Sequence, residues 1–225
     1  MTMRAVLVTG GVRRLGKAIG DALAESGWRV LRSSSRPDSG ADVVCDLSIP
    51  RSADELFRKA VAAAGGTLDA VVNNAALYVG ADAESVSAVD FEAPRRLTEL
   101  MASHGGGAVV NIIDESVLRS GADETSPRGA RAPYVEAKRR LLDFTIRAAA
   151  EYASVGLRVN AVAPGPVLPP EGMHEKACVT PLGRPTPQAV ADAVRFLLEA
   201  RFTTGVVIPV AGTAPDFQAK QKGVR

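Results

Sequence analysis

Short apolar runs alternate with helical patterns along almost the whole chain. The runs cover residues 5–8, 28–34, 42–45, 69–73, 108–113, 157–162 and 205–210. Between them, apolar residues at helical spacing predict helices over 15–26, 52–64, 86–103, 133–154 and 187–200. Runs such as Ala5-Val6-Leu7-Val8 are apolar at every position, as expected of strands buried on both faces. Strand and helix in alternation predict an α/β fold, a seven-stranded, parallel, doubly wound sheet with helices on both faces. Ser52-Ala-Asp-Glu55 reads as a capping box opening one helix, and Pro94 as a kink inside another. Thr186-Pro187 reads as an N-cap followed by proline at the first helical position.

The chain has 225 residues, enough for one domain (1–225) with a sizeable core. Its 27 Lys and Arg against 25 Asp and Glu leave a net charge of +2, and no basic block carries interleaved aromatics, so nucleic acid is not the expected partner. No apolar run reaches the ~18 residues of a membrane span, and the N-terminus does not read as a signal peptide. The expected location is therefore the cytoplasm, with no membrane partner. Cys45 and Cys178 are isolated, without histidines at ligand spacing, so neither a disulfide framework nor a metal site is expected.

Chemistry begins at the first strand–helix junction. Thr9-Gly10-Gly11-Val12-Arg13-Arg14-Leu15-Gly16 joins the first strand to the first helix. Gly10 permits the tight turn, Gly16 permits close helix–sheet packing, and the helix N-terminus offers free N–H groups to a pyrophosphate. This is a dinucleotide-binding, Rossmann-type arrangement. The second strand ends in Ser33-Ser34-Ser35-Arg36, without the carboxylate that holds the ribose hydroxyls of NAD. Arg36, with a hydroxyl from Ser35, suits a 2′-phosphate, so the expected cofactor is NADPH (NADP+).

Tyr134 and Lys138 stand at i and i+4 and share one helix face. A phenol of ordinary pKa near ~10 is a poor acid–base group at neutral pH. A neighbouring ammonium favours the phenolate, so Lys138 is expected to lower the Tyr134 pKa.

With Asn73-Asn74-Ala75-Ala76 after the fourth strand and Pro164-Gly165 after the sixth, the chain resembles the short-chain dehydrogenase/reductase family over nearly its whole length. The resemblance implies that Gly10, Arg14, Leu15, Gly16, Ser35, Arg36, Asp46, Leu47, Asn73, Ala75, Tyr134, Lys138, Pro164, Gly165 and Val167 bind the cofactor. It also implies a homotetramer. Three departures matter. Asp114 stands where the family usually has a catalytic serine, and Ser116 comes two residues later. Arg14 stands in the phosphate turn. Asp90 matches the asparagine that many members carry in the fourth helix.

The first two departures resemble the pteridine reductase branch. That likeness implies Asp114, Tyr134 and Lys138 as catalytic residues and Arg14, Tyr78, Asp114 and Tyr134 as substrate-binding residues, with Tyr78 stacking beneath a flat heterocycle. The expected partner is a small molecule, a dihydropterin or dihydrofolate, reduced at a C=N bond. Arg119, Arg128 and Arg131 lie in a long stretch read as a lid over the pocket. Two alternatives stay open: a carbonyl reductase acting on a thioester ketone, quinone or sugar, and a weakly catalytic NADPH-binding sensor.

Overall fold

Both faces of the sheet are covered, and the alternation along each strand shows why the runs are apolar throughout. Ala5 and Leu7 of β1 (Ala5–Val8) face one core, and Val6 and Val8 face the other. The first core is closed by α2 (Ser52–Ala64), α4 (Ala93–Ser103) and α5 (Ala132–Glu151), through Leu56, Leu97 and Leu141. The second is closed by α1 (Arg14–Glu25) and α6 (Pro187–Glu199), through Ile19, Leu23, Val190 and Leu197. The computed structural model describes residues 3–78, 80–118, 131–169 and 180–213.

The remaining strands are β2 (Arg29–Ser34), β3 (Val43–Val44), β4 (Ala70–Asn73), β5 (Gly107–Ile112), β6 (Leu157–Pro164) and β7 (Val207–Val210). All pairings are parallel, in the order β3-β2-β1-β4-β5-β6-β7. The order reverses between β1 and β4, and a crevice forms outside the carboxyl ends of the strands at such a switch point. Among the described residues no helix is long and apolar enough to cross a membrane.

Three local expectations need correction. Strand β3 is shorter than 42–45 because the Asp42 carboxylate itself accepts the Arg32 N–H at 2.8 Å, taking a ladder position with a side chain. Ser52 is the first residue of α2 rather than its cap, since Arg51 makes the turn in the left-handed region (φ 66°). Glu55 reaches forward to Lys59 at 2.6 Å instead of back to Ser52. The helix expected from 86 begins earlier, at α3 (Ala83–Ser87), capped by Asp82, which accepts the Ser85 N–H at 2.8 Å. It then widens into a π turn, Ala88–Glu92, before α4. Pro94 has no N–H to continue the regular ladder, and the Ala93 N–H bonds back to the Ala88 carbonyl instead.

Candidate active site

The turn after β1 is built by exclusion. Gly10 sits at φ 61°, and a Cβ there would meet the Ala75 backbone at 3.2 Å. A Cβ on Gly16 would lie 2.2 Å from the Gly10 carbonyl oxygen and 2.5 Å from Asn74 Nδ2. Asn74 donates to the carbonyls of Thr9 (3.0 Å) and Gly10 (3.3 Å), and Thr9 Oγ1 accepts the N–H groups of Asn74 (2.9 Å) and Ala75 (3.0 Å). The segment after β4 therefore clamps the turn, a role for Asn74 that spacing alone did not indicate. Leu15 packs against the core beneath α6, and Arg14, exposed and at φ 50°, donates to the Pro169 carbonyl across the crevice. The N-terminus of α1 is left open as a cradle for a pyrophosphate.

At the end of β2, Ser35 and Arg36 are exposed. Ser35, Cys45, Asp46 and Arg51 line a cleft of about 360 Å³. Arg51 is a basic lining residue that its position at a helix start did not single out. Leu47 is buried, and Asp46 accepts both the backbone N–H (3.0 Å) and the hydroxyl (2.8 Å) of Ser48. Across the crevice Pro164 ends β6, the Gly165 N–H bonds the Val210 carbonyl at 2.9 Å, and Val167 is buried. A larger groove of about 440 Å³, lined by Arg4, Trp28, Asp69 and Arg158, lies at the amino ends of the strands, away from the crevice, and holds none of the expected site residues.

Between these ends stands a compact polar cluster. Asp114 follows β5, and its Oδ1 accepts the Ser116 N–H (2.9 Å) and hydroxyl (2.6 Å). Its Oδ2 accepts the Tyr134 hydroxyl at 3.3 Å and faces Arg131 Nη2 at 3.2 Å. The Tyr78 ring meets Tyr134 edge-on, centroids 5.0 Å apart at 74°, and is 37% exposed. The Arg131 guanidinium lies 5.2 Å from the centre of the Tyr78 ring. The structure thus brings Tyr78, Asp114, Tyr134 and Lys138 together. Ser116 spends its hydroxyl on Asp114, which orients that carboxylate.

Lys138 is only 2% exposed. Its ammonium donates to the Ile112 carbonyl at 2.9 Å and stands 3.0 Å from Asp90 Oδ1. Asp90 is wholly buried in the π turn, and its other oxygen accepts the Leu77 N–H at 2.8 Å. Burial pushes the Asp90 carboxyl above its ordinary pKa, against the opposing pull of Lys138 and the Leu77 N–H.

The expected effect of Lys138 on Tyr134 is corrected here. The Tyr134 phenol is held well above its ordinary pKa, first by burial, then by the charges of Asp114 and Asp90. Arg131, not Lys138, is the cation that opposes this rise. Lys138 faces Asp90, so its charge is answered before it reaches the phenol. Asn73 also departs from expectation in its side chain, which is 2% exposed and donates to Asn111 at 2.8 Å, inside the sheet. Arg119, Arg128 and Cys178 lie outside the described residues. Arg131, expected in a lid over the pocket, stands 3.2 Å from Asp114 and over the Tyr78 ring.

Residues 4–177 match the short chain dehydrogenase family model. An alternative dihydrofolate reductase of Brucella canis, FolM, solved with NADP, is 32% identical with TM-score 0.78, covering 93% of each chain. The 3-alpha-hydroxysteroid dehydrogenase of Pseudomonas sp. B-0831, solved with NADH, is 25% identical with TM-score 0.83, covering 98% of this chain and 99% of that one. Carbonyl reductase family member 4 of Danio rerio is 30% identical over 93% of this chain and 97% of its own. This chain belongs to the short-chain dehydrogenase family, whose members are nicotinamide-dependent oxidoreductases.

Proposed function

We propose that this protein is an NADPH-dependent reductase of a pteridine, a dihydropterin or dihydrofolate, acting at a C=N bond. The observation that carries the reading is Asp114. A carboxylate, pinned by Ser116, occupies the end of β5 and faces the Tyr134 hydroxyl at 3.3 Å. A carboxylate accepts from the N–H groups of an aminopyrimidine edge, whereas a lone hydroxyl meets that demand only in part. Tyr78, exposed beside this group, offers an aromatic face to a flat ring. The likeness to a dihydrofolate reductase of the same family supports the reading.

The turn fits a dinucleotide, because Gly10 and Gly16, without a Cβ, let it pack against Ala75 and Asn74 and so bring the N-terminus of α1 to the crevice. Gly10, Leu15 and Gly16 would hold the pyrophosphate, and Arg36 with Ser35 the 2′-phosphate that separates NADPH from NADH. Lys138 would hold the sugar next to the nicotinamide. When bound, the nicotinamide supplies a hydride to the ring carbon. The Tyr134 O–H supplies the proton to the ring nitrogen, since the phenol carries that proton at neutral pH. Asp114 accepts from the phenol and orients the substrate. The exposed side chains of Phe196 and Phe202, along and just after α6, support the expected assembly into a tetramer.

The test is NADPH oxidation by the purified protein against dihydropterins, dihydrofolate, ketones and quinones. Pterin-dependent oxidation is expected, reduced at least about tenfold in Asp114→Ser, with ketone reduction unchanged or raised. Activity on ketones alone would overturn the reading in favour of a carbonyl reductase.

A further inference from the structure

The pair Asp90–Lys138 is unusual in its degree of burial. Both side chains are essentially inaccessible, 0% and 2% exposed, with Nζ 3.0 Å from Oδ1. Placing two charges there costs solvation that their attraction only partly recovers, so stability alone is a weak reason for the pair. Its surroundings suggest another reason. The second Asp90 oxygen binds the Leu77 N–H at 2.8 Å, next in sequence to Tyr78. Lys138 Nζ lies 5.5 Å from the centre of the Tyr134 ring. One carboxylate therefore touches both the catalytic lysine and the segment that carries the ring packed on the catalytic phenol. The π turn at Pro94 sets Asp90 at this point.

We propose that Asp90 is a positioning residue that answers the charge of Lys138 and so keeps that charge from drawing the proton off Tyr134. Tyr134 thereby stays in the protonated form that a donor needs over a wider range of pH. The groups around the phenol agree in sign. Asp114, after β5, accepts its hydrogen bond; Arg131, just before α5, is a cation near the phenol and is paired with Asp114; Tyr78 contributes a neutral ring. Burial and the two carboxylates together hold the phenol in its protonated form. The inference rests on Tyr134 being the proton donor, but not on the identity of the substrate.

The test is spectroscopic titration of Tyr134 in the cofactor-free, full-length protein. The chain has three tyrosines, and subtracting the same protein with Tyr134→Phe isolates the signal. Asp90→Asn unmasks the Lys138 charge. A unit charge about 5 Å away at an effective dielectric constant of about 20 moves the titration down by roughly two pH units. The alkaline limb of NADPH-dependent reduction should move down by the same amount. An unmoved titration in Asp90→Asn would overturn the proposal.

Asp90→Asn leaves Lys138 buried without its counter-charge and can fail to fold. The double variant Asp90→Asn/Lys138→Met removes both charges at once. Because the double variant removes the carboxylate together with the ammonium it answers, its Tyr134 titration should stay close to that of the wild-type protein. A rise above wild type in the double variant would show that Lys138 acts on the phenol despite Asp90, and would refute the inference. A failure of the pteridine reading would leave these titrations unaffected.

Discussion

Replacing Gly16 with alanine is the sharpest perturbation of the cofactor cradle. The added Cβ would stand 2.2 Å from the Gly10 carbonyl oxygen and 2.5 Å from Asn74 Nδ2. Neither neighbour is the free end of a flexible side chain. Gly10 is main chain, and the Asn74 amide is fixed by bonds to Thr9 and Gly10 at 3.0 and 3.3 Å. Overpacking of this kind costs about 1–3 kcal/mol. Losing the Asn74 bonds adds about 1 kcal/mol each. The sum, about 3–5 kcal/mol, corresponds to a fall in Tm of about 6–20 °C in a chain of this size. The same shift re-aims the N–H groups of the cradle, so Kd for NADPH should rise at least about tenfold. Gly27→Ala is the control, since a Cβ there meets nothing within 4 Å. It should cost only about 1 kcal/mol, for its positive φ, and leave Kd unchanged. Thermal melts and equilibrium NADPH binding measure both quantities. If Gly16→Ala behaves like Gly27→Ala in both, the steric account of the cradle is wrong.

Arg36→Ala should weaken NADPH by about 10–100-fold, the loss of a charge-assisted contact, and leave NADH nearly untouched; equal losses in direct binding would defeat the 2′-phosphate assignment. Tyr134→Phe should lower kcat for reduction by at least about 10²-fold, with NADPH affinity within twofold, as read by stopped-flow and binding titration. The same residue links stability to pH. Its folded-state pKa lies above the ordinary 10.0, so the unfolded chain releases the proton first as pH rises. The Tyr134 contribution is fully present below pH 10.0 and is lost above it as pH climbs towards the folded-state value. Denaturant melts across that range should fall more steeply for wild type than for Tyr134→Phe.

The sheet was legible because its strands obey one rule at every position. With Leu7 facing one core and Val6 and Val8 the other, no residue of β1 can be polar, and the run marks itself. Signals borne by single polar residues were less reliable. Ser52 and Glu55 have the spacing of a capping box, yet Glu55 finds Lys59 at 2.6 Å and Arg51 takes the turn. Asp82 caps the next helix through Ser85, but the apolar periodicity that announces a helix begins only at Val86. A cap is a competition among nearby donors, and the spacing of one pair does not reveal the competitors.

The site divides along a related line. Placement was largely legible: helical spacing puts Tyr134 and Lys138 on one face, and strand ends bring Asp114 and Tyr78 to the same crevice. The sign of the coupling was not. A lysine four residues from a tyrosine lowers the phenol pKa only if nothing else claims its charge. Here a carboxylate 48 residues earlier in the chain claims it at 3.0 Å. It reaches that point because Pro94 interrupts a helix and the ladder widens around Asp90. The local pattern fixes which groups meet, but burial and third parties decide which way a proton moves between them. The same rule applies to Arg131. As one arginine in a polar stretch it is indistinguishable in sequence from Arg119 or Arg128, and only its 3.2 Å approach to Asp114 sets it apart as a charge beside the Tyr134 hydroxyl.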